Sequence, residues 1–269
     1  MNASMGRMPN ASDSPGESST RLLSPSADSL NPPRINDYDS FAAAYSAENE
    51  VNLFNAYYER PATLTLAGDV TGRRILDAGC GSGPLFAALR DRGAIVTGFD
   101  SSAGMLELAW QRLGNDADLH LADLSRPLPF PDGAFDDVIA SLVLHYLEDW
   151  TAPLAELRRV LKPGGRLIAS VNHPINGTAL ARPGANYFST YQWSDEYTTS
   201  SGQSYVLTYW HRPLPAMISA FIAAGFRIAA IDEPLPAPDT PRELLPDFLK
   251  DKPAGSSFLG FMFFVLQAE

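Results

Sequence analysis

Strand-like and helix-like segments alternate between Arg73 and Val171, and this alternation constrains the fold more than any other feature of the sequence. Short aliphatic runs such as RRILDAG, AIVTGFD and GRLIASV are separated by helix-like runs such as AGMLELAWQRLG. Such alternation is typical of an α/β domain in which helices cover both faces of a parallel sheet. The pattern therefore predicts five strands up to Val171, with a ligand site at their carboxyl ends.

The remaining segments differ in composition from this central part. Residues 1–34 are rich in Ser, Pro, Asn and Gly, which predicts a disordered tail. Residues 35–70 show helical spacing of apolar residues and predict helices that cap the main domain, which covers 71–269. Within that domain, 173–212 forms a long irregular insertion. A helix then leads to two further strands, FRIAAIDEP and FLGFMFFVLQA, of which the last can pair antiparallel.

Composition disfavours several classes of protein. A net charge of -11 disfavours a nucleic-acid partner, because affinity for polyanions comes largely from lysine and arginine. With one cysteine and four scattered histidines, neither an internal disulfide nor a metal centre is expected. No apolar run is long enough to cross a membrane, and no export signal precedes the domain, so a cytoplasmic location is expected.

A glycine-rich loop follows the first predicted strand, in the sequence ILDAGCGSGPL. Gly79, Gly81 and Gly83 are followed by Pro84 in the slot of the third glycine of the dinucleotide fingerprint, so that fingerprint fails. Asp77 would also lie beside a bound pyrophosphate and oppose it by about 1 kcal/mol or more. The loop therefore predicts a ligand that is not anionic at this point, and S-adenosylmethionine, with its ammonium and sulfonium groups, is such a molecule.

Carboxylates also follow the next two predicted strands. Asp100 ends the second strand, 21 residues after Gly79, where a carboxylate can accept both ribose hydroxyls. Asp123 ends the third strand and is placed for an adenine amino group. Carboxylates at the ends of three successive strands make a stronger signal than the glycine loop alone.

With these motifs in place, residues 38–172 resemble the class I S-adenosylmethionine-dependent methyltransferases, in particular small-molecule enzymes related to the ubiquinone and menaquinone methyltransferases. The resemblance is carried by ILDAGCGSG, GFDSSAGML, ADLSRPLPFPDGAFDDVIASLVLHYL and LRRVLKPGGRLIAS, in the family's order. It implies a Rossmann-like seven-stranded sheet of order 3-2-1-4-5-7-6, with strand seven antiparallel.

The resemblance also implies which residues bind S-adenosylmethionine. Asp77 and the loop glycines would contact the methionine part, Asp100 and Ser101 the ribose, and Met105, Asp123 and Leu124 the adenine, with Tyr45 and Ser141 closing over the cofactor. The implied cofactor residues are Tyr45, Asp77, Gly79, Gly81, Gly83, Asp100, Ser101, Met105, Asp123, Leu124 and Ser141.

The insertion at 173–212 carries eight aromatic residues and little charge. Aromatic faces stack on rings and their polar tips supply oriented hydrogen bonds, so the insertion is expected to form a lid over a flat, largely apolar small-molecule substrate. The alternative is that about half of these rings only fill the core. The predicted substrate contacts are Tyr58, His145, Tyr191 and Trp193.

His211, in YWHRPLP, is the predicted catalytic base, because an acceptor atom must eventually lose its proton after methyl transfer. The alternative for His211 is a structural hydrogen bond to a neighbouring backbone segment. His145 has the corresponding alternative of packing or orienting without proton transfer.

The predicted reaction is methyl transfer to a small aromatic metabolite. The aromatic insertion and lone histidine resemble those of bacterial indole C3-methyltransferases, which make alkaloids from tryptophan derivatives or tryptophan-containing cyclic dipeptides; an O- or N-methyltransferase of phenols or quinols would use the same parts. A non-catalytic cofactor-binding protein is the alternative from another class. A nucleic-acid methyltransferase is disfavoured, because SLVL stands where a [DNS]PP[YFW] motif should follow the fourth strand.

Overall fold

The structure is a computed structural model that describes residues 36–176, 184–199, 202, 204–250 and 258–269. The predicted tail at 1–34 lies outside these residues, as does 177–183 of the predicted insertion.

A seven-stranded sheet forms the centre of the domain, in the order β3-β2-β1-β4-β5-β9-β8. Strands β6 and β7 form a separate two-stranded sheet, so without them the order is the predicted 3-2-1-4-5-7-6. The predicted Rossmann-like α/β fold is confirmed. The strands are β1 (Arg74–Ala78), β2 (Ile95–Asp100), β3 (Asp118–Leu121), β4 (Phe135–Ser141), β5 (Leu161–Asn172), β6 (Tyr191–Thr198), β7 (Ser204–His211), β8 (Phe226–Asp232) and β9 (Phe261–Ala268).

The last strand lies inside the sheet, antiparallel to both β5 and β8. Its sequence FMFFVLQA is buried at nearly every position, whereas β8 is largely exposed after Phe226. A strand that is apolar on both faces requires neighbours and covering layers, while a half-polar strand tolerates the edge. Burial therefore explains why β8 and not β9 ends the sheet.

Helices cover both faces of the sheet. Alternate residues of β1 point to opposite sides: Leu76 joins a core with α5 and α6, and Ile75 joins a second core with α2, α3 and α4. The helices are α1 (Ala42–Asn49), α2 (Arg60–Ala67), α3 (Pro84–Asp91), α4 (Ala103–Leu113), α5 (Thr151–Val160), α6 (Leu214–Ala223) and α7 (Asp247–Lys250), with a π-helix at Leu53–Glu59 and 3-10 turns at Tyr38–Ser40, Leu144–Tyr146 and Arg242–Leu244.

Local sequence explains where the two helices next to the glycine loop begin. Gly83 adopts φ +79°, and Pro84 follows as the first residue of α3, where a missing N–H costs nothing. Helix α4 begins after Ser102, whose hydroxyl accepts the Met105 N–H at 3.0 Å. Both helices therefore start at the carboxyl edge of the sheet.

The described part of the insertion forms a hairpin in place of the predicted irregular stretch. Strands β6 and β7 pair antiparallel from Tyr191 opposite His211 to Thr198 opposite Ser204. Leu207 and Tyr209 of this hairpin are buried against Phe41 of the leading segment. The alternation in YQWSDEYT and SYVLTYWH is the sequence signal for these strands.

Candidate active site

A cavity of about 210 Å³ lies at the carboxyl ends of β1, β2 and β4. This is where ligands bind in open parallel sheets. Of the predicted cofactor residues, Gly83 is outside the lining. The others line the cavity: Tyr45, Asp77, Gly79, Gly81, Asp100, Ser101, Met105, Asp123, Leu124 and Ser141.

Asp77 is the most unusual group in this cavity. Its side chain is buried, and Oδ2 has no hydrogen-bond partner within the described residues. Burial, together with the nearby charges of Glu59 and Asp100, raises the pKa of Asp77 to about 8. A buried carboxylate oxygen without a partner is costly unless a ligand supplies one. A cationic ammonium group can donate a hydrogen bond to Oδ2 and pair with its charge. The Asp77 carboxylate therefore suits the ammonium of the predicted cofactor.

Asp137, on the neighbouring strand β4, is a buried carboxylate whose charge and hydrogen bonds are paired within the chain. Arg166 donates two hydrogen bonds to it, both 2.8 Å long, and Arg73 donates another at 2.7 Å. Burial would raise the pKa of Asp137, but the hydrogen bonds from Arg166 and Arg73 outweigh burial and lower it. Asp137 is thus paired with two arginine side chains, whereas Asp77 has no cationic partner among the described residues.

Backbone donors hold the second strand-end carboxylate. Asp100 accepts the Gly81 N–H at Oδ2 and the Ser102 N–H at Oδ1, each at 2.9 Å. Burial raises the pKa of Asp100, and these N–H donors partly oppose that rise. The third strand-end carboxylate, Asp123, accepts the backbone N–H and the hydroxyl of Ser125 at 2.8 and 2.7 Å.

Different neighbouring side chains restrict two of the loop positions, 79 and 83, to glycine. At Gly79 a Cβ atom would lie 2.4 Å from Val143 Cγ2, beside the cavity. At Gly83 it would lie 2.8 Å from the Leu113 side chain, which belongs to the packing of α3 against α4. Both adopt positive φ, +74° and +79°. Gly79 therefore keeps the cavity open, and Gly83 permits close helix packing.

Glu59, which the sequence analysis did not identify, also lines the cavity. It ends the π-helix, is 4% exposed, and accepts hydrogen bonds from Thr63 at 2.8 Å and from Ser170 at 2.7 Å. Single π-helical turns are frequent at functional sites. The only sequence signal is a pair of charged residues, Glu59 and Arg60, inside a largely apolar helical run, in AYYERPATL.

A second cavity, of about 380 Å³, adjoins the first. Tyr45, Asn55, Leu142 and Tyr146 line both cavities and form their common wall. Its other lining comes from the leading helices, the ends of β4, β5 and β9, and the hairpin. A molecule in the second cavity would therefore lie next to a cofactor in the first.

Leu142, in the common wall, has a backbone conformation that sequence reasoning could not find. It adopts φ +52°, which costs a non-glycine residue about 1–2 kcal/mol. Its N–H donates to the Ser170 hydroxyl at 3.0 Å, which holds this turn in place after β4. Strained backbone of this kind is concentrated at functional sites.

His145 lines the second cavity and is held in one tautomer. Its Nδ1 accepts the Asn172 N–H at 3.1 Å, so the ring proton is assigned to Nε2. Burial lowers the pKa of His145 to about 3. At neutral pH the ring is therefore an uncharged hydrogen-bond donor.

The remaining predicted substrate residues lie in different places. Trp193 lines the second cavity and packs on Tyr209, with ring centroids 4.6 Å apart. Tyr191 is outside both linings and stacks on His211 at 4.7 Å. Tyr58 is fully buried in the core instead of facing a cavity, because its hydroxyl donates to the Phe258 carbonyl at 3.0 Å.

His211, the predicted base, also lies outside the described lining of both cavities. Its Nε2–H donates to the Tyr187 carbonyl at 2.8 Å, within the insertion. Burial lowers the pKa of His211, and the Tyr187 carbonyl partly opposes this. This arrangement corresponds to the alternative of a histidine bonded to a neighbouring backbone segment.

The described residues contain neither a candidate metal site nor a membrane-spanning helix. No group of three or more His, Cys, Asp or Glu side chains could hold a metal ion there. In the same residues, no helix has the length and apolarity needed to span a bilayer.

Comparison with known proteins identifies the central region. Residues 76–169 match the family described as a methyltransferase domain. A demethylmenaquinone methyltransferase of Clavibacter sepedonicus is 38% identical over 133 residues, 49% of this chain and 54% of that protein. A malonyl-[acyl-carrier protein] O-methyltransferase of Serratia marcescens is 43% identical over 107 residues, 40% of this chain and 41% of that protein. The chain thus spans about half the length of the curated relatives it matches.

Among solved structures, an S-adenosylmethionine-dependent methyltransferase from Mesorhizobium loti superposes with a TM-score of 0.60 at 28% identity, covering 77% of this chain and 96% of that one. Together with the family match, this likeness confirms the class I methyltransferase resemblance for the central region.

Proposed function

We propose that this chain, which carries a class I S-adenosylmethionine-dependent methyltransferase domain, is an enzyme that methylates a small molecule containing an aromatic ring. One observation carries the proposal: a cavity ringed by strand-end carboxylates shares the wall formed by Tyr45, Asn55, Leu142 and Tyr146 with a cavity lined by aromatic rings. Such adjacency is what a two-substrate transfer needs, because alignment of the reacting atoms supplies most of the catalysis.

When bound, S-adenosylmethionine supplies a methyl group, which a nucleophile takes from the sulfonium sulfur by in-line displacement. Asp77 would hold the cofactor's ammonium, the amides of the glycine loop would contact its methionine part, and Asp100 would accept the ribose hydroxyls. Tyr45 and Tyr146, which line both cavities, would separate the cofactor from the acceptor except where the two must meet.

The second cavity favours an acceptor that attacks in its neutral form. Burial raises the pKa of Tyr45, Tyr146 and Tyr209 above the usual value, so these phenols do not act as bases near neutrality. A ring carbon or an amine nitrogen becomes acidic once methylated and can lose its proton afterwards, whereas a phenol requires deprotonation first. The preferred acceptors are therefore C- or N-nucleophiles, including the indole carbon, with phenols and quinols as the alternative.

The test is methyl transfer followed by mass spectrometry, with methyl-labelled S-adenosylmethionine and a panel of indoles, tryptophan cyclic dipeptides, aryl amines, phenols and quinols. We expect labelled product from a C- or N-acceptor with the native chain and with Asp91→Asn, an exposed position on α3 used as a control. Asp77→Asn should give at least 100-fold less product. Tight cofactor binding with no labelled acceptor would instead support a non-catalytic cofactor-binding protein.

A further inference from the structure

Glu59 brings a second buried carboxylate to the lining of the first cavity. The two hydrogen bonds that it accepts, from the Thr63 and Ser170 hydroxyls, both end on Oε1. Oε2, the open oxygen of this group, has no hydrogen-bond or ion-pair partner among the described residues. Because hydroxyls are uncharged, Thr63 and Ser170 fix the carboxylate in place without compensating its charge.

Arg60, the next residue in the chain, does not compensate Glu59 either. Its guanidinium donates to the Asn49 carbonyl and side chain, both at 3.0 Å, and pairs with Glu50 at 3.4 Å. The charge of Arg60 is thus directed to the loop after α1. Glu59 is left as a buried carboxylate without a cation among the described residues.

The strands place Glu59 close to Asp77. Asp77 of β1 lies opposite Ile139 of β4, and Ser170 of β5 lies opposite Ser141, two residues further along β4. Since Ser170 binds Glu59, that carboxylate lies over the ends of the strands beside Asp77. After burial, the charge of Glu59 is the largest cause that raises the pKa of Asp77. The two carboxylates therefore share one region of the cavity.

A cation with several N–H donors suits this pair. Asp77 Oδ2 and Glu59 Oε2 both need a donor, and their charges repel each other until a cation reaches both. An ammonium group has three N–H donors, whereas a sulfonium has none. Asp100 does not compete, because its oxygens already accept the Gly81 and Ser102 N–H groups. Among the described residues, no third histidine, cysteine or carboxylate joins the pair to hold a metal ion.

We propose that Glu59 and Asp77 together bind the ammonium group of the cofactor, each through its open oxygen. This inference rests on the proposed function, because it places S-adenosylmethionine in the first cavity. It assigns to the π-helix at Leu53–Glu59 a direct part in cofactor binding, from outside the central sheet.

A matched ligand pair tests the inference by calorimetry on the full chain. S-adenosylhomocysteine is compared with its analogue in which hydrogen replaces the amino group, so that only the ammonium differs. The titrations are run at about pH 8.5, where Asp77 is largely ionised. We expect Glu59→Gln to reduce the preference for S-adenosylhomocysteine over the analogue by about tenfold. An unchanged preference, or an equal loss of affinity for both ligands, would overturn the inference.

Two control variants separate the charge of Glu59 from its structural contacts. Glu107→Gln, at an exposed position on α4, loses the same charge far from the hydroxyl donors of Glu59. Thr63→Val removes one of those donors and keeps the carboxylate. Both controls should retain the preference of the native chain. A preference that falls as far in Thr63→Val as in Glu59→Gln would assign the effect to helix position and contradict the inference.

Proton release gives a second readout that a purely structural role would not move. At about pH 7 Asp77 is mostly protonated and must ionise to pair with an ammonium. Glu59→Gln removes a charge that raises the pKa of Asp77, so it should release fewer protons per bound S-adenosylhomocysteine than the native chain. Equal release from both proteins would contradict a shared site.

The proposed function and this inference can fail separately. If the native chain does not bind S-adenosylhomocysteine, the proposed function is wrong. If it binds with a preference that does not depend on Glu59, the proposed function stands and the inference falls. Weaker binding of S-adenosylmethionine but not of S-adenosylhomocysteine in Glu59→Gln would pair Glu59 with the sulfonium instead, which also overturns the inference.

Discussion

At the residue scale, Asp77 and Asp137 show how environment separates a carboxylate with an open oxygen from one that is paired within the chain. Both are buried aspartates on adjacent strands, β1 and β4. Asp137 is fixed by two arginines, while Asp77 has an oxygen with no partner among the described residues and a pKa raised to about 8. The sequence places both aspartates on strands, but only the neighbouring side chains distinguish their environments.

The pKa of Asp77 predicts pH-dependent cofactor binding. Below about pH 8 the carboxyl is mostly protonated in the unliganded protein, and a cationic ligand favours the ionised form. We therefore expect the association constant of S-adenosylhomocysteine to rise by up to tenfold per pH unit between about pH 6 and pH 7.5. Calorimetry in buffers of different ionisation enthalpy should show proton release on binding. Affinity that is independent of pH, with no proton released, would contradict this.

The raised pKa of Asp77 also predicts that Asp77→Asn stabilises the unliganded protein. The folded-state pKa lies above the unfolded value, so between about pH 4 and pH 8 the folded chain retains a proton that the unfolded chain has lost. This contribution to stability is fully present below about pH 4 and is lost as pH rises to about 8. Asparagine does not ionise, so at pH 8 we expect a Tm about 3 °C or more above that of the native chain. Asp137→Asn, in contrast, should lower Tm, because it leaves Arg73 and Arg166 poorly paired.

His145 is predicted to orient the acceptor without transferring a proton. Its Nδ1 is occupied, so only the Nε2–H is available to the cavity. His145→Phe should raise KM about tenfold, with a smaller change in kcat, because a hydrogen bond to the acceptor is lost. The pH profile of kcat between 5 and 9 should keep its shape, since the pKa of His145 is about 3. Loss of a limb of that profile would instead indicate a base.

At the scale of elements, the sequence predicts that the insertion forms a lid, and its hairpin forms one wall of the second cavity. Alternate residues of β6 lie on its inner face, with Trp193, Asp195 and Tyr197 lining the cavity. A two-stranded sheet alone is marginally stable in water, so it depends on packing against the leading segment. The stacked rings of Phe41 and Tyr205, 4.4 Å apart, supply such a contact.

Substitutions of His211, at the end of β7, test whether this residue stabilises the hairpin or acts as the base. We expect His211→Ala to lower Tm and to reduce kcat by less than tenfold, because the ring bonds the Tyr187 carbonyl and stacks on Tyr191 instead of lining a cavity. His211→Asn, which can keep a donor to that carbonyl, should lose less stability. A fall in kcat of about 1000-fold at unchanged Tm would support its role as the base.

At the scale of the whole molecule, the two cavities are adjacent because the leading helices and the hairpin meet over the carboxyl edge of the sheet. The net charge of -11 adds a long-range field that attracts cations. Affinity for S-adenosylmethionine, which carries a net positive charge, should therefore fall by a larger factor than affinity for S-adenosylhomocysteine, which has no net charge, as salt rises from about 20 mM to about 300 mM. Parallel titrations of the two ligands check this, and equal salt dependence would contradict it.

Much of the fold was determined by the sequence alone. The alternation of strands and helices, the glycine loop and the carboxylates at Asp77, Asp100 and Asp123 are local patterns. A parallel sheet brings the ends of its strands to one edge whatever the details of packing. Most residues that the family resemblance placed around the cofactor line the first cavity for this reason.

Tertiary structure decided the remaining features, because they depend on residues far apart in the chain. Glu59 enters the first cavity through a hydrogen bond from Ser170, 111 positions away. Tyr58 is withdrawn into the core by contacts with Phe258 and Phe261, and Leu142 is held in a strained turn by Ser170. Periodicity specifies which face of an element is apolar but not which distant element covers it. The sequence therefore determined most residues around the first cavity, while the second cavity follows only from how the leading helices and the hairpin pack.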